Sequence, residues 1–249
     1  MNIALFGGTF DPVHRAHLNV ARAAAKRFRL REVWFVPADI PPHKQKMPVT
    51  SYFHRYSMVV LALADEPDFL ASLLEAPEPE AHMERHPSYS IETVRKVKAG
   101  LRRGDRLYFL IGIDAFRDID KWHKAEELLR ECEFIIAARP GYSLEDVAES
   151  LPEELRPSTK ELRTVGLDQA LRQRGVILHF LPETHEDVSA TQIRAAMGKR
   201  IGLTELVPDM VAEYIRKEGL YRDTPSPKPK RKPAKKSTRV KKSTRSRSA

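Results

Sequence analysis

Gly7-Gly8-Thr9-Phe10-Asp11-Pro12-Val13-His14-Arg15-Ala16-His17-Leu18 constrains the fold of this chain more than any other stretch. The apolar run Ile3 to Phe6 before it suits a buried parallel strand, and Leu18, Ala21, Ala25 and Phe28 after it recur at helical spacing. The segment is therefore predicted to join a strand to a helix at the strand's carboxyl end. There the unpaired N–H groups of the helix N-terminus and its dipole attract anions. Gly7 and Gly8 let a ligand approach the backbone closely. His14 and His17, three residues apart, project from one side of a first helical turn, so two imidazoles would meet one anion. Taken alone, such a pair reads equally well as surface histidines or as half of a metal site. The glycine turn before it favours phosphate, although the spelling is neither a Walker A loop nor a dinucleotide G-x-G-x-x-G.

The remainder alternates between the two periodicities. Strands are predicted over Glu32 to Val36, Phe69 to Leu74, Leu107 to Ile111, Phe134 to Ala137 and Val176 to Leu181. Helices are predicted over Tyr52 to Ala64, Ile91 to Lys98, Ala125 to Leu129, Thr191 to Met197 and Pro208 to Lys217. This alternation implies an α/β fold, a Rossmann-like doubly wound parallel sheet with helices on both faces. Leu144 to Arg174, charged and weakly periodic, reads as helices and loops peripheral to any site.

The net charge of +9 divides unevenly along the 249 residues. Residues 224–249 hold seven lysines, four arginines and no acid, which leaves 32 basic and 34 acidic residues in 1–223. Two domains of behaviour follow: a nearly neutral folded body, 1–223, and a tail, 224–249, that repeats Lys-Lys-Ser-Thr-Arg and carries too little apolar surface to fold alone. The tail reads either as a tether to nucleic acid or another polyanion, by counterion release, or as a solvated extension with no partner. Cys132 is the only cysteine, so an internal disulfide is excluded, and its expected role is that of a small buried apolar residue. No stretch has the length of a membrane span and the first residues lack a signal-peptide pattern, so a cytoplasmic location without membrane contact is expected. A homo-oligomer is compatible with the sequence, which does not specify one.

The ordered motifs identify a family resemblance. G-G-T-F-D-P-x-H-x-x-H resembles the H-x-G-H signature of nucleotidyltransferases related to class I aminoacyl-tRNA synthetases, in the spelling of the bacterial nicotinate-nucleotide adenylyltransferases. Pro41-Pro42-His43-Lys44, Pro87-Ser88-Tyr89-Ser90, Ile111-Gly112-Ile113-Asp114, Trp122-His123, Ala138-Arg139-Pro140-Gly141, Ser189-Ala190-Thr191-Gln192-Ile193-Arg194 and Tyr214-Ile215 to Leu220-Tyr221 follow in that family's order.

The resemblance implies adenylyl transfer from ATP to nicotinate mononucleotide, giving nicotinate adenine dinucleotide and pyrophosphate in NAD biosynthesis, with Mg²⁺ arriving on ATP. It implies catalytic roles for His14, His17, Lys44 and Arg194. His17 would lie nearest the bridging oxygen that breaks, Arg194 on the β- and γ-phosphates, and Lys44 over them as a mobile cation. Gly7, Gly8, Thr9, Phe10, Gly112, Asp114, Ser189 and Thr191 complete the implied ATP site, with Asp114 near the ribose or the metal. Thr9, Lys44, Tyr89, Ser90, Trp122 and His123 form the implied site for nicotinate mononucleotide, Trp122 stacking on the pyridine and backbone amides holding the carboxylate. Singly, Lys44 and Arg194 read as solvated charges, Trp122 as a packing anchor and Asp114 as a helix N-cap.

Three positions depart from the family spelling. Ala16 stands at the glycine of H-x-G-H, where a methyl group meets adenine; Ala190 replaces a serine hydroxyl; Ser90 replaces threonine. A related transferase acting on phosphopantetheine or an alcohol phosphate would share the first motif but not the Pro-Pro-His-Lys, Trp122 and Tyr214 to Tyr221 blocks. A nucleic-acid-binding module on a degenerate enzyme fold is the alternative of another class; the charged residues retained in both phosphate motifs argue against it. His82-Met83-Glu84-Arg85-His86 resembles a zinc helix only superficially, since its glutamate is misplaced and Pro87 follows.

Overall fold

The computed structural model describes residues 1–41, 48–77, 87–138, 144–181, 190–197 and 203–222. Six strands, β1 (Asn2–Gly8), β2 (Glu32–Pro37), β3 (Phe69–Ala71), β4 (Arg106–Gly112), β5 (Glu133–Ala137) and β6 (Leu178–Leu181), pair in parallel in the order β3-β2-β1-β4-β5-β6. The order reverses direction between β1 and β4. In an open parallel sheet this places a crevice outside the carboxyl ends of those two strands.

Side-chain alternation divides the core into two layers. Ala4, Phe6, Val33, Phe35, Tyr108 and Leu110 face one side, beneath α1 (Arg15–Phe28), α2 (Tyr52–Ala62) and α9 (Asp209–Lys217). Ile3, Leu5, Leu107, Phe109, Ile111 and Phe134 face the other, beneath α3 (Ser90–Lys98), α4 (Ile113–Phe116) and α5 (Ala125–Glu131). Helices α6 (Leu144–Glu149), α7 (Thr159–Gln173) and α8 (Ala190–Met197) complete the described set.

The doubly wound sheet agrees with the sequence reading, and its boundaries differ for local reasons. β3 stops at Ala71, not Leu74, because the Ser72 hydroxyl accepts the Leu74 N–H at 3.2 Å and turns the chain. β6 begins at Leu178 because Val176 gives its N–H to Leu171 in closing α7, through Gly175 at φ 75°. α1 begins one turn before Leu18, at Arg15, whose N–H and guanidinium bond the carbonyls of Leu206 and Thr204. α7 is broken at Gly166, which adopts φ 76°. Among the described residues no helix is long and apolar enough to cross a membrane. The tail 224–249 lies outside the described residues, as do Lys44, His43, Ser189, Arg139 and the His82 to His86 run.

Candidate active site

The Gly7 to His14 turn leaves β1 at the topological switch point. The reason for its glycines is partly internal: a Cβ on Gly8 would meet the Phe10 ring at 3.0 Å, and one on Gly7 would meet Phe109 at 3.2 Å. Close packing of aromatic rings therefore demands both glycines, in addition to any need of a ligand. Phe10 takes the left-handed region at φ 48° and is buried, edge-on to Phe6 and His17. Strain at that residue is held by its packing.

His14 is the N-cap of α1 and His17 its third residue, in a capping-box arrangement. Their rings stack at 3.7 Å, so the structure brings the two imidazoles together on one face as the spacing predicts. The His14 N–H donates to His17 Nδ1 at 3.2 Å. In the neutral ring the remaining proton of His17 then sits on Nε2, as a donor.

Arg194 comes to the same turn from α8. Its guanidinium donates to the Asp11 carbonyl at 2.5 Å and to Thr191 Oγ1 at 3.3 Å. Thr191 and Arg194 are thus placed with the histidine turn, 183 residues away in sequence for the Asp11 contact. Asp114, in the first turn of α4, is not the cap: Gly112 holds that position, and Asp114 is exposed on the helix's second residue.

A cavity of about 600 Å³ opens beside this turn, between the ends of β1 and β4. Gly7, Gly8 and Thr9 form one side; Gly112, Trp122, His123, Tyr89 and Ser90 form another. A Cβ at Gly112 would meet nothing within 4 Å, which leaves the cavity floor open there. Trp122 packs edge-on against Phe109 at 6.1 Å, so it is both an anchor and a wall. Tyr89 and His123 stack at 4.2 Å, holding two predicted residues side by side. A cavity of this size, with apolar and aromatic walls and few polar groups, suits a nucleotide-sized ligand.

Several participants carried no motif signal of their own. Arg55, buried in α2, donates to the carbonyls of Thr50 (2.8 Å), Thr9 (2.8 Å) and Asp39 (3.2 Å). It ties the phosphate turn to both flanks of the 40–49 segment. Burial lowers its pKa, opposed by the charges of Asp11 and Asp39. Asp11, 5% exposed, accepts the Tyr221 hydroxyl at 2.6 Å and the Thr50 N–H at 3.3 Å. Burial, then the Asp11 charge, pushes the Tyr221 phenol well up. Glu75 lines the cavity and accepts the Thr93 hydroxyl at 2.7 Å; burial raises its pKa and thus favours the neutral acid. The available signal for Arg55 was its place on an apolar stripe with Tyr52, Val59 and Ala62. Cys132, at the end of α5, has its thiol pushed up by burial, as expected for a residue that packs.

Comparison with known proteins agrees with this geometry. Residues 5–196 match the family described as cytidylyltransferase-like. The probable nicotinate-nucleotide adenylyltransferase of Pseudomonas aeruginosa PAO1 is 39% identical over 220 residues, covering 88% of this chain and 97% of that protein. That of Moorella thermoacetica is 38% identical over 221 residues, 88% and 91% of the two chains. Among solved structures, nicotinic acid mononucleotide adenylyltransferase of Plasmodium falciparum complexed with NaAD superposes with a TM-score of 0.61 at 20% identity, covering 88% of this chain and 97% of that one; it supports the fold. With its glycine–histidine turn, its cavity at the β1/β4 switch point and relatives matched over nearly their full length, the chain belongs to the nicotinate-nucleotide adenylyltransferase family of cytidylyltransferase-like nucleotidyltransferases.

Proposed function

We propose that this enzyme transfers the adenylyl group of ATP to nicotinate mononucleotide, yielding nicotinate adenine dinucleotide and pyrophosphate. The observation that carries the reading is the stacked His14–His17 pair at the N-terminus of α1, at the end of the same turn whose Gly7, Gly8 and Thr9 wall a cavity together with Trp122, Tyr89 and Ser90. The phosphate oxygen of nicotinate mononucleotide attacks the α-phosphorus of ATP in line, and the bond to the pyrophosphate oxygen breaks. Both reactants are anions, so the protein's work is alignment and neutralisation of charge, without a covalent intermediate.

His17 Nε2–H, the N–H groups of the α1 first turn and the Arg194 guanidinium supply donors where charge grows on the leaving pyrophosphate. Arg194 exchanges the Asp11 carbonyl for phosphate oxygens when ATP binds. Lys44 and Ser189, in the matched motifs, add a cation and a hydroxyl. Mg²⁺ comes with ATP, held mainly by its phosphates. The donor set fits this arrangement: the turn offers N–H, imidazole and guanidinium groups to phosphate, with Asp114 as the carboxylate that would meet the metal or the ribose. Trp122 covers the pyridine, and the backbone at Tyr89, Ser90 and His123 receives the carboxylate. The Ala16 methyl sits at the adenine side of α1 and sets ATP affinity, not the choice of acceptor.

Pyrophosphate release with ATP, Mg²⁺ and one acceptor at a time tests the reading. Preference for nicotinate mononucleotide over nicotinamide mononucleotide and phosphopantetheine is expected. Preference for either of the others overturns the Trp122 pocket, and no release with any acceptor overturns the assigned reaction.

The body works in the cytoplasm, and the basic tail 224–249 tethers it to nucleic acid or another polyanion. The support is eleven positive charges without an acid. Retention of the full chain on DNA should fall steeply with salt, and truncation after Asp223 should abolish it while leaving turnover within about tenfold. Equal retention of both forms overturns the tether.

A further inference from the structure

Asp11 stands at a crossing of three chain segments. Its carboxylate accepts the Tyr221 hydroxyl on one oxygen at 2.6 Å and the Thr50 N–H on the other at 3.3 Å. Its main-chain carbonyl carries the Arg194 guanidinium. The next carbonyl but one upstream, that of Thr9, is held by buried Arg55. The turn that presents His14 is thus fixed at two residues, Thr9 and Asp11, by side chains from three distant places, Arg55 on α2, Arg194 on α8 and Tyr221 beyond α9. Tyr221 reaches Asp11 because Gly219 and Tyr221 itself both adopt the left-handed region, at φ 65° and 64°, and fold the chain back onto the turn. That conformation costs energy in a tyrosine, so its hydrogen bond and burial must sustain it.

We infer that Tyr221, acting through the Asp11 carboxylate, is a positioning residue for ATP: it sets the peptide that carries Arg194 and leads into the His14–His17 pair. Tyr221 does not touch the phosphates. It fixes the carbonyl from which Arg194 is released to them and the direction in which the first turn of α1 points. The acceptor pocket shares Gly7, Gly8 and Thr9 with the turn, all upstream of Asp11, while its Trp122 side is built on β4, α3 and the 119–123 segment, away from this link. The inference rests on the reading of ATP as the adenylyl donor, so the test separates the two.

Tyr221→Phe removes the hydroxyl and keeps the ring. The apparent KM for ATP should rise, and kcat/KM for ATP fall, by about tenfold, with KM for nicotinate mononucleotide within twofold of the unmodified chain. A purely structural role would lower Tm and move both KM values together, or neither. Asp11→Asn keeps a carbonyl acceptor for Tyr221 and should lose less than Asp11→Ala. In the Asp11→Ala background, adding Tyr221→Phe should cost much less than in the unmodified chain, only what the hydroxyl's second bond, to Thr50, contributes, whereas multiplication of the two losses would overturn the link. Should Asp11→Ala not fold, Tyr221→Phe alone decides, through its KM for ATP and its ATP binding. ATP binding is measured in parallel by calorimetry. No turnover by the unmodified chain refutes the assigned reaction, while about tenfold weaker ATP binding by Tyr221→Phe still supports the link. Unchanged ATP binding and an unchanged KM for ATP in Tyr221→Phe refute it.

Discussion

The Gly7 to His14 turn and the largely helical Leu144 to Gln173 segment both lie beside the sheet, and they are held by opposite means. In the turn, partners lie far off in sequence: Arg55, Arg194 and Tyr221 reach it from 46, 183 and 210 residues away. Arg55 and Asp11 are buried, so each bond acts in a medium that strengthens it and penalises its loss. In the segment, partners are near: Ser158 and Glu161 cap α7 reciprocally, Ser150 bonds the Asp146 carbonyl, and Arg174 pairs with Glu161 at 2.7 Å. The Ser158–Glu161 and Ser150 contacts face water, and the Arg174–Glu161 pair is partly buried. Two glutamates carry the contrast. Glu75, in the cavity wall, has its pKa raised by burial, whereas Glu161, in solvent, is held down to about 2 by hydrogen bonds from Ser158 and Arg174. The turn is over-determined from afar, and the segment is served mainly by its near neighbours.

Five substitutions sharpen or break this contrast. Arg55→Met should be the most damaging to stability, by about 3–5 kcal/mol, since it leaves three partly buried carbonyls and the buried Asp11 charge without their cation. Denaturant unfolding measures it, and a loss under about 1 kcal/mol would dissolve the distinction between the regions. His17→Ala should cut kcat by roughly 10²–10³, some 2.7–4 kcal/mol, with Tm little changed; near-normal turnover would remove its phosphate role. Trp122→Ala should raise the KM for nicotinate mononucleotide by about tenfold and leave that for ATP unchanged.

Glu75→Gln tests pH. A carboxyl whose folded pKa is raised favours the folded state below its unfolded pKa, and that contribution is lost as pH rises through the folded value. Ionisation also puts a negative charge in the wall of a pocket for an anion, so the KM for nicotinate mononucleotide should climb with pH and the Gln variant should flatten the climb. An identical pH profile in both proteins would place Glu75 outside the binding energetics. Glu161→Gln should do least. Its lowered pKa favours folding above about 4.5, an effect lost only as pH falls toward about 2, so at pH 7 a Tm shift of a few degrees at most, with unchanged kcat, is expected.

What could be read from the sequence follows the same division. The β1–turn–α1 unit is local, and its periodicity, glycines and histidine spacing all report on neighbours within a few residues. The sheet strands are apolar runs, legible because burial on both faces forces their composition. The Asp11 linkage is not local, and no spacing rule joins residues 11, 55, 194 and 221. Asp11 and Tyr221 stood inside matched blocks without roles, and Arg55 looked like any helix arginine except for its seat on an apolar stripe. The glycines were legible as necessary, but their reason lay with Phe10 and Phe109 as much as with a ligand. Gly166 gave no sign of breaking α7, because a glycine is tolerated in a helix as often as it ends one.

The 210-residue span between Asp11 and Tyr221 has a consequence for synthesis. The phosphate turn leaves the ribosome first and receives its last partner almost at the end of the body. Nascent chains up to about residue 220 therefore possess β1, its histidines and every strand of the sheet while the turn still lacks Tyr221. A product interrupted there should bind ATP at least as weakly as Tyr221→Phe, about tenfold below the full body, because it lacks the same bond.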